Sequence, residues 1–224
     1  MSEITYFSQK DENHCGPCCM SMILSSMGIK LPPEEIIQVV MQRRISDRFE
    51  TAGISNICSE LSHYGVYPIA IFNMPEKNAW EYLKNTVDTR GPVMVSQVKD
   101  ENTTYGHGRV VTKIVKNGTT FTIHCLDPDE KEPITEMTKE RFMNLWGTSK
   151  EIGKPAKYEM IVIGKNRSKL QREKCYICNS SDIDEHSRRF DHPEMEFINP
   201  QARERMNGTV FKCRKCSTEF HHYP

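Results

Sequence analysis

Two C-x-x-C pairs, Cys175-Tyr176-Ile177-Cys178 and Cys213-Arg214-Lys215-Cys216, stand near the end of this 224-residue chain and constrain its folding more than any other feature. Together they supply four thiolates, the ligand set of a closed, tetrahedral, structural zinc site. The interval between the pairs exceeds the about 15–20 residues common in such modules, so an insertion must loop out between them. Apolar residues around the pairs are few, among them Ile198, Val210, Phe211 and Phe220. Metal binding is therefore expected to supply much of the folding free energy of this segment. His186, His192, His221 and His222 are alternative ligands, but their irregular spacing reads as surface. Lys212, Arg214 and Lys215 form a basic cluster that neighbouring acidic residues dilute, so the expected partner of this module is a protein rather than nucleic acid.

The cysteine count is nine, an odd number, which suits metal ligation in a reducing compartment better than a disulfide framework. The formal net charge is zero, so no global field draws the chain to nucleic acid or to an acidic membrane. No apolar run approaches the roughly 18 residues of a membrane span, and Met1-Ser2-Glu3-Ile4-Thr5 lacks the form of an export signal. A cytoplasmic protein is expected. From Asn166 the chain turns polar, which divides it into a main domain over residues 1–165, a linker over 166–174 and a zinc-ribbon-like domain over 175–224.

Within the main domain, Pro17 in a first turn and Gly28 beyond a last one frame a helix of about 11 residues. Amphipathic spacing predicts a second helix after Pro33, with Ile36, Ile37, Val40 and Met41 on one face, and a third over 54–65. Strands follow at 66–72 and 93–98 around a helix that begins at Glu76. A hairpin is predicted from 108–115 and 119–125 about Asn117-Gly118. A helix over 138–146 and a strand over 158–163 complete the set. Helices first and antiparallel strands afterwards describe an α+β domain.

Cys15 lies where the first helix begins, among unpaired backbone N–H groups that favour a thiolate; on its own it reads equally well as a small buried residue. Cys18 and Cys19 share the apolar face with Met22 and Ile23 and read as core. A nucleophilic thiolate needs a base, and the base needs an orienting group. The hairpin leaves two registers open. A two-residue turn pairing Lys116 with Thr119 carries His107 and Asp127 to opposite faces. A three-residue loop of Lys116, Asn117 and Gly118 pairs Val115 with Thr119 and sets His107 directly across from Asp127 on one face. Singly, His107 between glycines is a turn residue and Asp127 before Pro128 a turn opener; jointly they point to catalysis.

The run Gln9-Lys10-Asp11-Glu12-Asn13-His14-Cys15-Gly16-Pro17-Cys18-Cys19 with Met22 resembles the N-terminal motif of the bacteriocin-processing, double-glycine leader peptidases, which are papain-like. Gly106-His107 with Val110-Val111 resembles their histidine motif, and Leu126-Asp127-Pro128-Asp129 with 138–147 their aspartate motif and closing helix. The resemblance covers most of residues 4–165 in the order Cys, His, Asp. It implies a papain-like cysteine peptidase fold, a Cys15–His107–Asp127 triad, and Gln9 as an oxyanion donor beside the Cys15 N–H. His14 stands where the family commonly has aspartate, and Gly108-Arg109 where a large residue is usual.

The expected function is hydrolysis of a peptide or isopeptide bond in a protein or peptide substrate. An acyltransferase or transglutaminase-like enzyme would use the same triad. A non-catalytic protein-binding module using the zinc ribbon is the alternative of a different class.

Overall fold

The computed structural model describes residues 3–11, 14–41, 57–58, 61, 64–103, 106–131, 133–148, 158–164, 174–187 and 209–222. Most of the 54–65 helix, nearly all of the 166–174 linker, His192 and Ile198 lie outside them; Ile57, Cys58 and Leu61 are helical and buried.

Helix α1 spans Cys15–Ser26 and α2 spans Pro33–Met41. Pro17 sits in the first turn of α1, where the missing N–H would have no intrahelical partner anyway. Gly28, at φ +81°, ends the helix with its N–H on the Ser25 carbonyl. Strand β1 is Tyr67–Phe72, helix α3 is Glu76–Arg90 and strand β2 is Val93–Val98. Strands β3, Gly106–Asn117, and β4, Thr120–Leu126, form the hairpin. Next come β5, Ile134–Thr138, and helix α4, Lys139–Gly147, whose N-cap Thr138 accepts the Arg141 N–H. Strands β6, Glu159–Gly164, β7, Ile183–Ser187, β8, Thr209–Cys213, and β9, Glu219–His222, complete the described elements.

The strands form one sheet in the order β5-β4-β3-β2-β6-β1-β9-β8-β7, every adjacent pair antiparallel. Alternation along the central strands sorts side chains onto two faces. Ala70, Met94, Val110 and Ile161 pack with Cys18, Cys19, Met22 and Ile23 of α1. Ile69, Ile71, Val93, Val95, Val111 and Met160 pack on the other side with Trp80 and Leu83 of α3 and Phe142 and Trp146 of α4. The sheet is thus buried between two helical layers.

Two features depart from the sequence reading. Strand β5 was not foreseen; it is a short edge strand with only Met137 buried, so it carries little apolar alternation. The hairpin adopts neither register considered above. Its turn is the two-residue Gly118-Thr119, closed by the pair Asn117 and Thr120, with Gly118 at φ +63° in the first turn position as a type II′ turn requires. A β-bulge between Val111 and Lys113 then shifts the ladder by one, so Val111 faces Cys125 and Val110 faces Leu126. The extra residue, Thr112, donates its hydroxyl to the His124 carbonyl at 3.2 Å.

The C-terminal strands are not separate from this sheet. Strand β9 pairs with β1, setting Phe220 beside Ile71, and Phe211 and Phe220 enter the core of α3 and α4.

Candidate active site

The bulge decides which side chains meet. Alternation places His107 and Arg109 on the face of Val111, and Asp127, just past β4, on the face of Cys125, the cross-strand partner of Val111. Without the additional residue, the odd register set by the turn would have put Asp127 on the other side. Bulges commonly re-aim side chains beside active sites in this way.

His107 Nε2 lies 2.7 Å from Asp127 Oδ1, and Arg109 Nε donates to Asp127 Oδ2 at 2.5 Å. The Asp129 backbone N–H also donates to Oδ1, at 3.0 Å. His107, Arg109 and Asp127 are only 3 %, 3 % and 1 % exposed, so these contacts are made largely out of water. Burial alone would raise the Asp127 carboxyl, but the hydrogen bond and charge of His107, with Arg109 and the Asp129 N–H, hold it down to about 2. Arg109 is itself anchored by the Val98 carbonyl at 3.3 Å and the Lys99 carbonyl at 2.7 Å.

Cys15 is the first residue of α1 and half-buried. The polar groups that act on its sulfur are the His107 ring and the N–H groups of Gly108 and Gly16. Since Nε2 of His107 is engaged by Asp127, Nδ1 is the atom left for the sulfur. Burial pushes the thiol up, but the bond to His107, its charge and the two N–H donors outweigh burial, and Cys15 titrates below its ordinary value. For His107, burial disfavours the charge, yet Asp127 and Cys15 together push it up to about 9. Both directions favour the charged forms, thiolate and imidazolium.

Gly108 permits this approach. A Cβ there would lie 2.7 Å from Met94 Cε, 3.3 Å from Cys19 Sγ and 3.7 Å from the Cys15 carbonyl oxygen. Residues 3–11 are laced to the segment after β4: Gln9 N–H donates to the Pro128 carbonyl at 2.8 Å, and the Tyr6 hydroxyl lies 2.8 Å from the carbonyls of both Asp127 and Glu130. Gln9 Nε2 donates to Asp129 Oδ1 at 3.0 Å, while Asp129 is also paired with Lys99. His14 directs Nδ1 to Asp11 Oδ2 at 3.2 Å.

The structure therefore brings Cys15, His107 and Asp127 together and sets Gln9 on the loop that follows Asp127. Arg109 escaped the sequence reading as a site residue. Its signal was a charged residue two positions from His107 in a strand that continues as Val110-Val111, a pattern that places a charge on a buried face.

The second set of candidate residues also converges. The four sulfurs of Cys175, Cys178, Cys213 and Cys216 lie within 4.8 Å of one another, with 3.5 Å between Cys175 and Cys216 and between Cys178 and Cys213. Sulfurs about 2.3 Å from a tetrahedral ion would stand about 3.8 Å apart, so the cluster can hold a metal. Each pair folds into the same turn. Asn179 and Ser217 return their N–H to the carbonyls of Cys175 and Cys213, whose own N–H groups reach Ser180 and Thr218. Asn179 and Ser217 both sit at positive φ, 57° and 61°. The insertion between the pairs falls after β7 and before β8. No described helix is long and apolar enough to cross a membrane.

A sheet between helical layers, with a cysteine at a helix start facing a histidine and an aspartate from a hairpin, is the architecture of a cysteine hydrolase. Residues 1–153 match the sequence profile of the Peptidase_C39 like family, and the chain belongs to that family and is a cysteine peptidase. A crystal structure from Bacillus anthracis described as C39-like superposes with a TM-score of 0.51 at 13% identity, over 74% of this chain and 96% of that one. The peptidase domain of Streptococcus ComA, a bifunctional ABC transporter of a quorum-sensing pathway, gives 0.49 at 19% identity over 72% and 100%. A double-glycine motif protease of an AMS/PCAT transporter, in complex with its leader peptide, gives 0.47 at 17% over 72% and 91%. The fold is the mixed helix and antiparallel-sheet peptidase fold expected from the sequence, with the cysteine cluster at its C-terminal end. No curated protein matches the chain.

Proposed function

We propose that Cys15 is the nucleophile of this peptidase, His107 its general base and then acid, and Asp127 the group that fixes the imidazole. The observation behind this reading is the convergence of Cys15, His107 and the buried Asp127, with His107 Nε2 2.7 Å from Asp127 Oδ1 and its ring beside the Cys15 sulfur. The thiolate attacks the carbonyl carbon of a peptide or isopeptide bond and His107 protonates the departing amine. Water then attacks the thioester with His107 as base, and Cys15 leaves as thiolate. The Cys15 N–H, which has no intrahelical acceptor at the start of α1, and the side-chain amide of Gln9 would serve the developing oxyanion. An amide nitrogen carries two hydrogens, so Gln9 can hold Asp129 with one and offer the other. The substrate is a protein or peptide, bound with its scissile carbonyl over the start of α1.

Cys175, Cys178, Cys213 and Cys216 would hold zinc as a closed structural site without catalytic duty. Residues 175–224 then form a metal-binding unit on a peptidase domain over 1–165, with its exposed side open to a protein partner.

A thiol-directed probe tests the assignment. The native chain should label at Cys15 near neutral pH, and His107→Ala should lose most of the labelling. Equal peptide hydrolysis by Cys15→Ala and the native chain would overturn the reading. Comparing new peptide termini in a lysate treated with each protein would identify the substrate.

A further inference from the structure

Helix α1 opens with a third C-x-x-C sequence, Cys15-Gly16-Pro17-Cys18, of which peptide hydrolysis uses only the first sulfur. Side chains three apart on a helix share a face with Cβ atoms about 5–6 Å apart. A disulfide needs about 3.5–4.5 Å, so closing one requires the backbone to give by roughly an ångström. The first turn of α1 is the part of the helix able to do so. The amides of Cys15 and Gly16 have no intrahelical acceptor and Pro17 has no amide; the Cys18 N–H on the His14 carbonyl, at 3.1 Å, is the first rung of the ladder.

The neighbouring sulfurs are unequal. Cys15 is half-buried and His107 beside it favours its thiolate, whereas Cys18 is 2 % exposed. Burial, and after it the charge of Cys15, push Cys18 up to about 12, so it stays a thiol at neutral pH. A small oxidant therefore meets one reactive sulfur, with a reduced thiol one turn behind it. Cys19, completely buried, is directed toward Gly108 on β3, where its Sγ lies 3.3 Å from the position of a Cβ.

We propose that Cys15 and Cys18 form a peroxide-responsive dithiol/disulfide site, which switches the peptidase off reversibly and shields its nucleophile from permanent oxidation. The proposal rests on the reading of Cys15 as the nucleophilic thiolate. The thiolate attacks one oxygen of a hydroperoxide; a sulfur–oxygen bond forms, the O–O bond breaks, and the departing oxide takes up a proton. Cys15, oxidised by two electrons, is then a sulfenic acid. The Cys18 sulfur attacks it; the S–S bond forms, the S–O bond breaks, and the hydroxyl leaves as water with the Cys18 proton. A dithiol reductant reverses the state by two thiol–disulfide exchanges.

The test uses the full chain, hydrogen peroxide and mass analysis of the tryptic peptide Asp11–Lys30, which carries Cys15, Cys18 and Cys19. After oxidation and alkylation the peptide should lose two hydrogens and carry its single label on Cys19. Peptidase activity should fall in parallel and return with dithiothreitol, and Cys19→Ser should behave as the native chain does. In Cys18→Ser, and independently in Cys18→Ala, the peptide should gain two oxygens and the lost activity should not return. A native chain that over-oxidises as fast as Cys18→Ser, or one that links Cys15 to Cys19, overturns the proposal. Iodoacetamide labelling of the reduced chain separates the two levels: prompt alkylation of Cys15 without disulfide formation sinks this proposal alone, and no alkylation at neutral pH sinks the nucleophile assignment with it.

Discussion

Asp127 takes a hydrogen bond from His107 on one oxygen and from Arg109 on the other, so its charge is compensated from both sides. Removing one partner of such a buried set leaves an uncompensated charge, which costs about 3–5 kcal/mol. Arg109→Met should accordingly lower the urea midpoint and cut the rate of Cys15 labelling, while Arg109→Lys, which keeps the charge but not the fork, should recover part of both. A purely structural role for Arg109 would leave the labelling rate of the folded fraction unchanged. Asp127 is held down to about 2 in the folded chain, against an ordinary value near 3.8. A depressed carboxyl contributes stability that is fully present above the unfolded value and disappears as pH falls through the folded one, here about 2 kcal/mol. Asp127→Asn should therefore flatten the acid limb of stability between pH 4 and 2, read by urea titration. The Cys15–His107 pair behaves differently. A folded ion pair and an unfolded neutral pair carry the same number of protons, so above the ordinary histidine value of 6.5 and below about 9 the pair adds no pH dependence to folding. Activity is the proper readout: under the proposed mechanism kcat/KM should decline above about pH 9 as His107 loses its proton, and on the acid side as Cys15 regains its own. A pH profile with a histidine limb near 6.5 would contradict the ion pair.

At the scale of elements, most of the architecture could be read from the chain, because it rests on local chemistry. Pro17 and Gly28 frame α1, Gly118 supplies the positive φ of the hairpin turn, and Thr138 caps α4. The rest was hidden. The edge strand β5 has little buried surface to impose a pattern, and the bulge at Thr112 leaves no mark in composition or periodicity. The sequence reading looked for His107 and Asp127 on one face and attributed this to the wrong turn; the structure reaches it with a two-residue turn and one additional residue six positions away. Arg109 stayed hidden for a related reason, since its burial depends on the same register. Deletion of Thr112 should restore an uninterrupted ladder, turn Asp127 away from His107, and lower peptidase activity by about 10⁴-fold or more, the scale at which members of a catalytic unit are lost. Retained far-ultraviolet dichroism alongside lost activity would be the expected pair of observations; full activity in the deletion would show that the ladder can slip.

For the whole molecule, the pairing of β9 with β1 ties the cysteine cluster to the sheet that carries His107. Phe220 stacks on Phe211 at 5.3 Å and meets Tyr176 edge-on at 5.1 Å, and these rings join the core under α3 and α4. Loss of the proposed zinc should thus be felt well beyond the four sulfurs. Chelation, or Cys213→Ser, is expected to lower the thermal midpoint of the whole chain in one cooperative transition, by several kcal/mol of stability, since binding to such sites is coupled to folding. Elemental analysis should find one zinc per chain, released by Cys213→Ser; two separated melting steps, or no bound metal, would contradict this account. The change in polarity near residue 166 led the sequence reading to divide the chain there, but composition carries no information on which strand edge β7, β8 and β9 meet. Ile71 and Phe220 are neighbours across roughly 150 residues of chain, and such distant partners slow assembly because loop closure precedes their reward. During synthesis β1 emerges long before its outer neighbour exists, so one margin of the nascent peptidase must wait bare until Glu219–His222 arrive to seal it.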